Sequence, residues 1–146
     1  MKESIALFWF RRDLRIEDNH GLFQALSGPF PVLPIFIFDK AILSRLPTKK
    51  DGRVEFIHKA LEALKSLISQ QGGDILIFHD HPQLVFQKLA LEYDVQAIYL
   101  NHDHEKYALQ RDEVIKQFAS SKNICFYTFK DHVIFEKNEA LSGQGT

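Results

Sequence analysis

Five short apolar segments recur along the chain: Ile5 to Phe10, Val32 to Phe38, Ile75 to Phe78, Ala97 to Leu100 and Ile124 to Phe129. Most are continuous rather than alternating, as a strand reads when both of its faces are covered. The segments between them carry helical spacing. The clearest follows Asp51, where Ile57, Ala60, Leu61, Leu64, Leu67 and Ile68 form one apolar stripe, with Asp51 placed to cap it and Gly72-Gly73 to end it. A second helix is predicted over Pro82 to Tyr93 with Leu84, Val85, Leu89 and Ala90 inward. A third is predicted from about Lys106 to Ser120 with Tyr107, Val114, Ile115 and Phe118 inward. Gly21 to Leu26 supplies a shorter first helix, capped by Asp18 or Asn19.

This alternation of β and α units predicts an α/β fold. The expectation is a doubly wound, Rossmann-like, five-stranded parallel sheet of order 3-2-1-4-5 with helices on both faces. In that order the chain reverses direction between strands one and four, which opens a crevice at their carboxyl ends where ligands of such sheets bind. The loops expected there carry Arg11-Arg12-Asp13 and Asn101-His102-Asp103-His104-Glu105, with Asp39 nearby after strand two.

At 146 residues the chain is one domain's length and long enough to bury a core without staples. Its 18 Lys and Arg against 19 Asp and Glu leave a net charge of -1, so no sequence-wide basic field gathers phosphates and direct nucleic-acid binding is not suggested. The single cysteine, Cys125, has no internal partner. Its place in an apolar run marks it as a small core hydrophobe of a reducing, cytoplasmic protein. The amino-terminal residues show neither a signal-peptide pattern nor a membrane-length segment, so no membrane attachment is implied. Ser142 to Thr146 is small and polar, and the chain is expected to end inside a linker.

Few residues suggest catalysis. No G-x-G follows the first strand, which disfavours dinucleotide binding through a glycine turn. Arg11, Arg12 and Arg15 could clamp an anion, pair with carboxylates across an interface, or form local salt bridges with Asp13, Glu17 or Asp18. Two triplets, His79-Asp80-His81 and His102-Asp103-His104, fall at strand ends that the proposed order keeps apart. They read as solvated loop histidines, and no metal site is expected. A buried Cys125 is no nucleophile, and no G-x-S-x-G elbow is present. Trp9 reads as core rather than redox relay. Arg53, in the first turn of the long helix, is either a surface residue or an anion partner near the strand ends.

The segment Trp9-Phe10-Arg11-Arg12-Asp13-Leu14-Arg15, followed by Asp18-Asn19, resembles the opening signature of the photolyase and cryptochrome family, W-[FH]-R-x-D-L-R-x-x-D-N. Arg53, the stretch from Asn101 to Asp112, and Asp131 to Glu136 with Leu141-Ser142-Gly143 extend the likeness over essentially the whole chain. The resemblance implies an α/β antenna domain over residues 1–136, the start of an interdomain linker at 137–146, and a carboxyl-terminal, FAD-binding helical domain as partner. In photolyases, light excites the reduced flavin, which passes an electron to a pyrimidine dimer and receives it back after the ring splits. The α/β domain of many members holds a second pigment that gathers light for that flavin.

The implied function is that of the antenna-chromophore-binding domain of a deoxyribodipyrimidine photo-lyase. No activity is expected of this domain alone, and damaged DNA is met only through the helical domain. The alternatives are the same domain of a cryptochrome photoreceptor, which signals without repair, and a stand-alone nucleotide-binding α/β domain. Folate-binding members carry an Asn-Glu pair where this chain has Tyr107-Ala108, so the resemblance implies a deazaflavin or flavin antenna rather than a folate, with an empty site as the alternative. Carried over by position, the pigment pocket comprises Phe36, Ile37, Phe38, Asp39, Arg53, Asn101, Asp103 and Glu105, with one of Phe36 and Phe38 expected to turn into the core. Arg11, Asp13 and Arg15, with Asp18 and Asn19, are assigned to structure and to contact with the helical domain.

Overall fold

A computed structural model describes residues 2–11, 13–39, 52–102 and 106–129, with 52–54 described for backbone only. Five parallel strands form one sheet in the order β3-β2-β1-β4-β5, as predicted. They are β1 (Ser4–Phe10), β2 (Val32–Asp39), β3 (Leu76–Asp80), β4 (Asp94–Asn101) and β5 (Cys125–Phe129). Four helices connect them: α1 (His20–Leu26), α2 (Gly52–Gln70), α3 (Pro82–Glu92) and α4 (Lys106–Ser121).

The continuous apolar runs have the cause the sequence suggested. Along β1, Ile5, Leu7 and Trp9 enter one core with Val85, Phe86 and Leu89 of α3 and Ile115 and Ala119 of α4. Phe8 and Phe10 enter the other, with Leu22 and Ala25 of α1 and Leu61 and Leu64 of α2. Each such fully buried side chain contributes roughly 1.5–3 kcal/mol of transfer free energy, which makes β1, buried on both faces, the spine of the domain.

Local signals set the helix ends. Asn19 rather than Asp18 caps α1: its side chain accepts from the Leu22 amide, while Asp18 takes the left-handed φ of 54° that turns the chain into the helix. Gly72, at φ 85°, ends α2, and the Gly73 amide closes back onto the Ile68 carbonyl at 3.0 Å. The expected cap Asp51 lies outside the described residues.

Some predicted burial differs. Leu67, Leu84 and Val114 are 47%, 49% and 43% exposed, while Phe86, Ala108 and Ala119 take inward positions that spacing alone had not assigned. Helices at the sheet margin bury a narrower stripe than their apolar residues could cover. Cys125 is also exposed, contrary to expectation. An apolar run looks the same in an inner and an edge strand, and β5 is an edge. Among the described residues no helix is long and apolar enough to cross a membrane.

Candidate functional site

At the carboxyl ends of β1 and β4 the signature segment folds into a buried polar knot. Asn101, the last residue of β4, is its hub. Its side-chain oxygen accepts from the Gly21 amide at 2.8 Å, and its amide nitrogen donates to Asp13 Oδ2 at 2.5 Å and to Asn19 Oδ1 at 2.7 Å. Asp13 Oδ1 accepts from the Arg11 backbone amide at 2.8 Å, and Asn19 Nδ2 donates to the Arg15 carbonyl at 2.9 Å. Asp13, Asn19 and Asn101 are all buried, so each polar atom must find a partner within the protein, and the knot supplies them.

Arg11 leaves this knot sideways. Its Nη1 reaches both carboxylate oxygens of Asp112 on α4, at 2.5 and 2.7 Å, and its Nη2 donates to the Asn101 carbonyl. The ion pair is thus neither local nor with Asp13, Glu17 or Asp18; it joins the end of β1 to a helix 101 residues away. Arg15 donates to the Asp18 carbonyl at 2.9 Å. Arg12 lies outside the described residues.

A second cluster adjoins the first. Asp39, buried at the end of β2, accepts from the Tyr107 hydroxyl at 3.0 Å and from Arg111 Nη1 at 3.3 Å. The guanidinium carbons of Arg111 and Arg11 lie 4.9 and 5.1 Å from the ring centroid of Trp9. Among the described residues Arg111 Nε is buried without a hydrogen-bond partner, 3.9 Å from Asp112 Oδ1. Asp39, Arg111, Asp112 and Arg11 therefore alternate in sign over the indole, compensating charges that burial would otherwise penalise heavily. Tyr107 and Arg111 also line a groove of about 250 Å³ between α3 and α4, with His81, Gln83, Gln110 and Val114.

The strand-two residues assigned to a pigment pocket are all buried, but the sheet divides them. Phe36 and Phe38 belong to the core under α2, and Ile37 to the opposite one. Asp39 reaches α4 on the side of Ile37. The expectation that Phe36 and Phe38 diverge is corrected: residues two apart share a face, and their rings meet edge-on at 5.0 Å. Phe38 is further flanked by His58 of α2 at 4.9 Å and His79 of β3 at 4.6 Å, both stacked on it. The Arg53 side chain, Asp103 and Glu105 lie outside the described residues. His79 and His81 are exposed, and among the described residues no three metal-ligating side chains converge.

Gly21, Tyr107, Arg111 and Asp112 stand outside the set of site residues first assigned. The signal available for Arg111 and Asp112 was a base and an acid adjacent on a helix whose first turn faces the strand ends.

The DNA photolyase family profile matches residues 6–146. A Synechococcus deoxyribodipyrimidine photo-lyase is 30% identical over 139 residues, 95% of this chain and 28% of that enzyme. An uncharacterised 31.6 kDa Synechococcus protein is 31% identical over 145 residues, 99% of this chain and 51% of its own length. The chain thus spans about half, or less than a third, of these relatives. Among solved structures, an archaeal photolyase from Sulfolobus tokodaii superposes with a TM-score of 0.84 at 32% identity, over 92% of this chain and 31% of its own. That structure carries two FAD molecules, with the implication of a novel light-harvesting cofactor. With its signature knot, its strand order and these relatives, the chain belongs to the DNA photolyase family.

Proposed function

We propose that this chain is the antenna-pigment-binding α/β domain of a deoxyribodipyrimidine photo-lyase, and that the pigment is a flavin or deazaflavin held at the carboxyl end of β2. The observation that carries the reading is the likeness to the Sulfolobus photolyase, whose two FAD molecules include one more than the family's catalytic flavin requires. The side chains fit such a group. The exposed imidazoles of His58 and His79, stacked on the buried Phe38, supply planar faces at one side of the β2 terminus, and Asp39, Tyr107 and Arg111 supply hydrogen-bonding groups at the other. Arg111 Nε, a buried donor without a partner among the described residues, suits a heterocycle carbonyl. Bound there, the pigment would absorb near-ultraviolet or blue light and pass excitation to an FAD in a helical partner domain.

Repair is favoured over cryptochrome signalling because two relatives at 30% identity that are named for an activity are both photo-lyases. On this reading Arg53, Asp103 and Glu105, assigned to the pigment by the family likeness, complete its site. Asn101 serves it indirectly, because its amide is committed to the knot. Arg11, Asp13 and Asn19 hold the strand ends rather than any ligand, and Arg15 and Asp18 face the helical domain.

The test is an absorption spectrum of the purified chain, repeated after adding FMN, FAD and a deazaflavin to separate samples. Bound pigment that is lost in Arg53→Ala and Asp103→Ala supports the reading. A chain that binds none of the three overturns it and leaves this domain a structural partner of the helical one.

A further inference from the structure

β5 is an edge strand with nothing in its sequence to turn another strand away. Cys125-Phe126-Tyr127-Thr128-Phe129 contains neither charge nor proline, whereas the opposite edge, β3, ends in His79-Asp80 and is followed by Pro82. Charges and prolines are the usual protection of sheet edges.

The backbone orientation follows from one bond. The His102 amide donates to the Phe129 carbonyl at 2.6 Å, so the polar groups of Phe129 face β4. Polar groups alternate along a strand, so those of Tyr127 and Cys125 also face β4, while the N–H and C=O of Phe126 and Thr128 point outward. Among the described residues no partner meets them. Exposed apolar side chains border this edge: Tyr127 is 43% exposed, and Phe23 and Leu26 on the neighbouring α1 are 65% and 63% exposed.

We propose that the outer edge of β5 pairs antiparallel with β5 of a second copy of this chain, joining two sheets across a two-fold axis. The orientation of the polar groups limits hydrogen-bonded pairing to Phe126 and Thr128, and one register engages both residues in both copies. Phe126 stands opposite Thr128 of the second copy and Thr128 opposite Phe126, which gives four hydrogen bonds. Tyr127 faces its own counterpart at a non-hydrogen-bonded pair, where side chains approach most closely. A second copy suits this edge because the strand is uncharged, so pairing with itself sets no like charges in opposition. The net charge of -1 also leaves little long-range repulsion between two chains.

Sedimentation equilibrium of the chain from low-micromolar to sub-millimolar concentration should give a reversible monomer–dimer equilibrium, the dimer at twice 16.9 kDa. Tyr127→Lys, which sets two ammonium groups face to face at an already exposed position, should weaken it by about tenfold or more. In a Cys125→Ser background, Tyr127→Cys should form an intermolecular disulfide faster than Leu91→Cys, an exposed control on α3. A monomer at every concentration overturns the proposal. So does a dimer that survives Tyr127→Lys while Tyr127→Cys cross-links no faster than the control.

Discussion

The Gly21 amide donates to the side-chain oxygen of Asn101 at 2.8 Å and so ties the first turn of α1 to the end of β4. The contact leaves no room for a side chain. A Cβ on Gly21 would stand 2.6 Å from that oxygen and 3.0 Å from Phe8 Cε1, and neither neighbour is free to move, since Asn101 is held by Asp13 and Asn19 and Phe8 is fully buried. Gly21→Ala is expected to destabilise the fold by about 1–3 kcal/mol, the usual cost of overpacking. Urea unfolding checks this, and a midpoint equal to that of the parent would show that the knot is looser than its distances imply.

Arg11 and Asp112 make a nearly dry, two-pronged ion pair, with side chains 7% and 11% exposed. Arg11→Met leaves the buried Asp112 carboxylate with only the 3.9 Å contact to Arg111 Nε, so it should cost about 3 kcal/mol, the low end for a broken buried pair. Arg11→Met with Asp112→Leu should regain much of that loss, because a buried pair can often be replaced by packed apolar groups with little net change. A double-mutant cycle by chemical denaturation measures the coupling. Strictly additive effects would show that the pair contributes nothing as a pair.

The sheet order was legible because it follows from two things a sequence displays, continuous apolar runs and the helical spacing between them. The site was legible in its parts only. Asn101 enters the pigment set through its position in the family likeness, which does not show what its side chain bonds to. Its three partners, Asp13, Asn19 and Gly21, are some eighty or more residues away, and no local pattern reveals them. Cys125 read as core for the converse reason: its neighbours in sequence are apolar, and the edge position that exposes it is a property of the whole sheet.

Tyr127 titrates above the usual tyrosine value of about 10, first because it hydrogen-bonds with Cys125, then through charge on that thiol. A folded-state value raised in this way contributes stability that is fully present below the unfolded value and lost as pH rises through the folded one. Stability should therefore fall on the alkaline side of about pH 10. Cys125→Ala should return the phenol toward its ordinary value and flatten that fall. A spectrophotometric phenolate titration, with Tyr127→Phe to assign the signal, reads the shift. An unchanged Tyr127 titration in Cys125→Ala would remove the thiol as its cause.

Trp9 makes the pigment reading testable without any partner domain. It is the single tryptophan, 1% exposed, with Phe86 edge-on at 5.0 Å and the guanidinium groups of Arg11 and Arg111 over its ring. Its emission should be blue-shifted relative to the unfolded chain and poorly quenched by acrylamide, since water and quencher reach it only when the core opens. Arg111 bridges the indole to Asp39, at the end of β2, so a flavin seated there would be close enough to accept the excitation. Titration with FAD or FMN should then quench Trp9 in step with occupancy, and Trp9→Phe should abolish the signal while binding persists. A flavin that binds, by absorbance, without dimming Trp9 would place the pigment away from this end of the sheet and turn the search to the groove's far side, around His81 and Gln83.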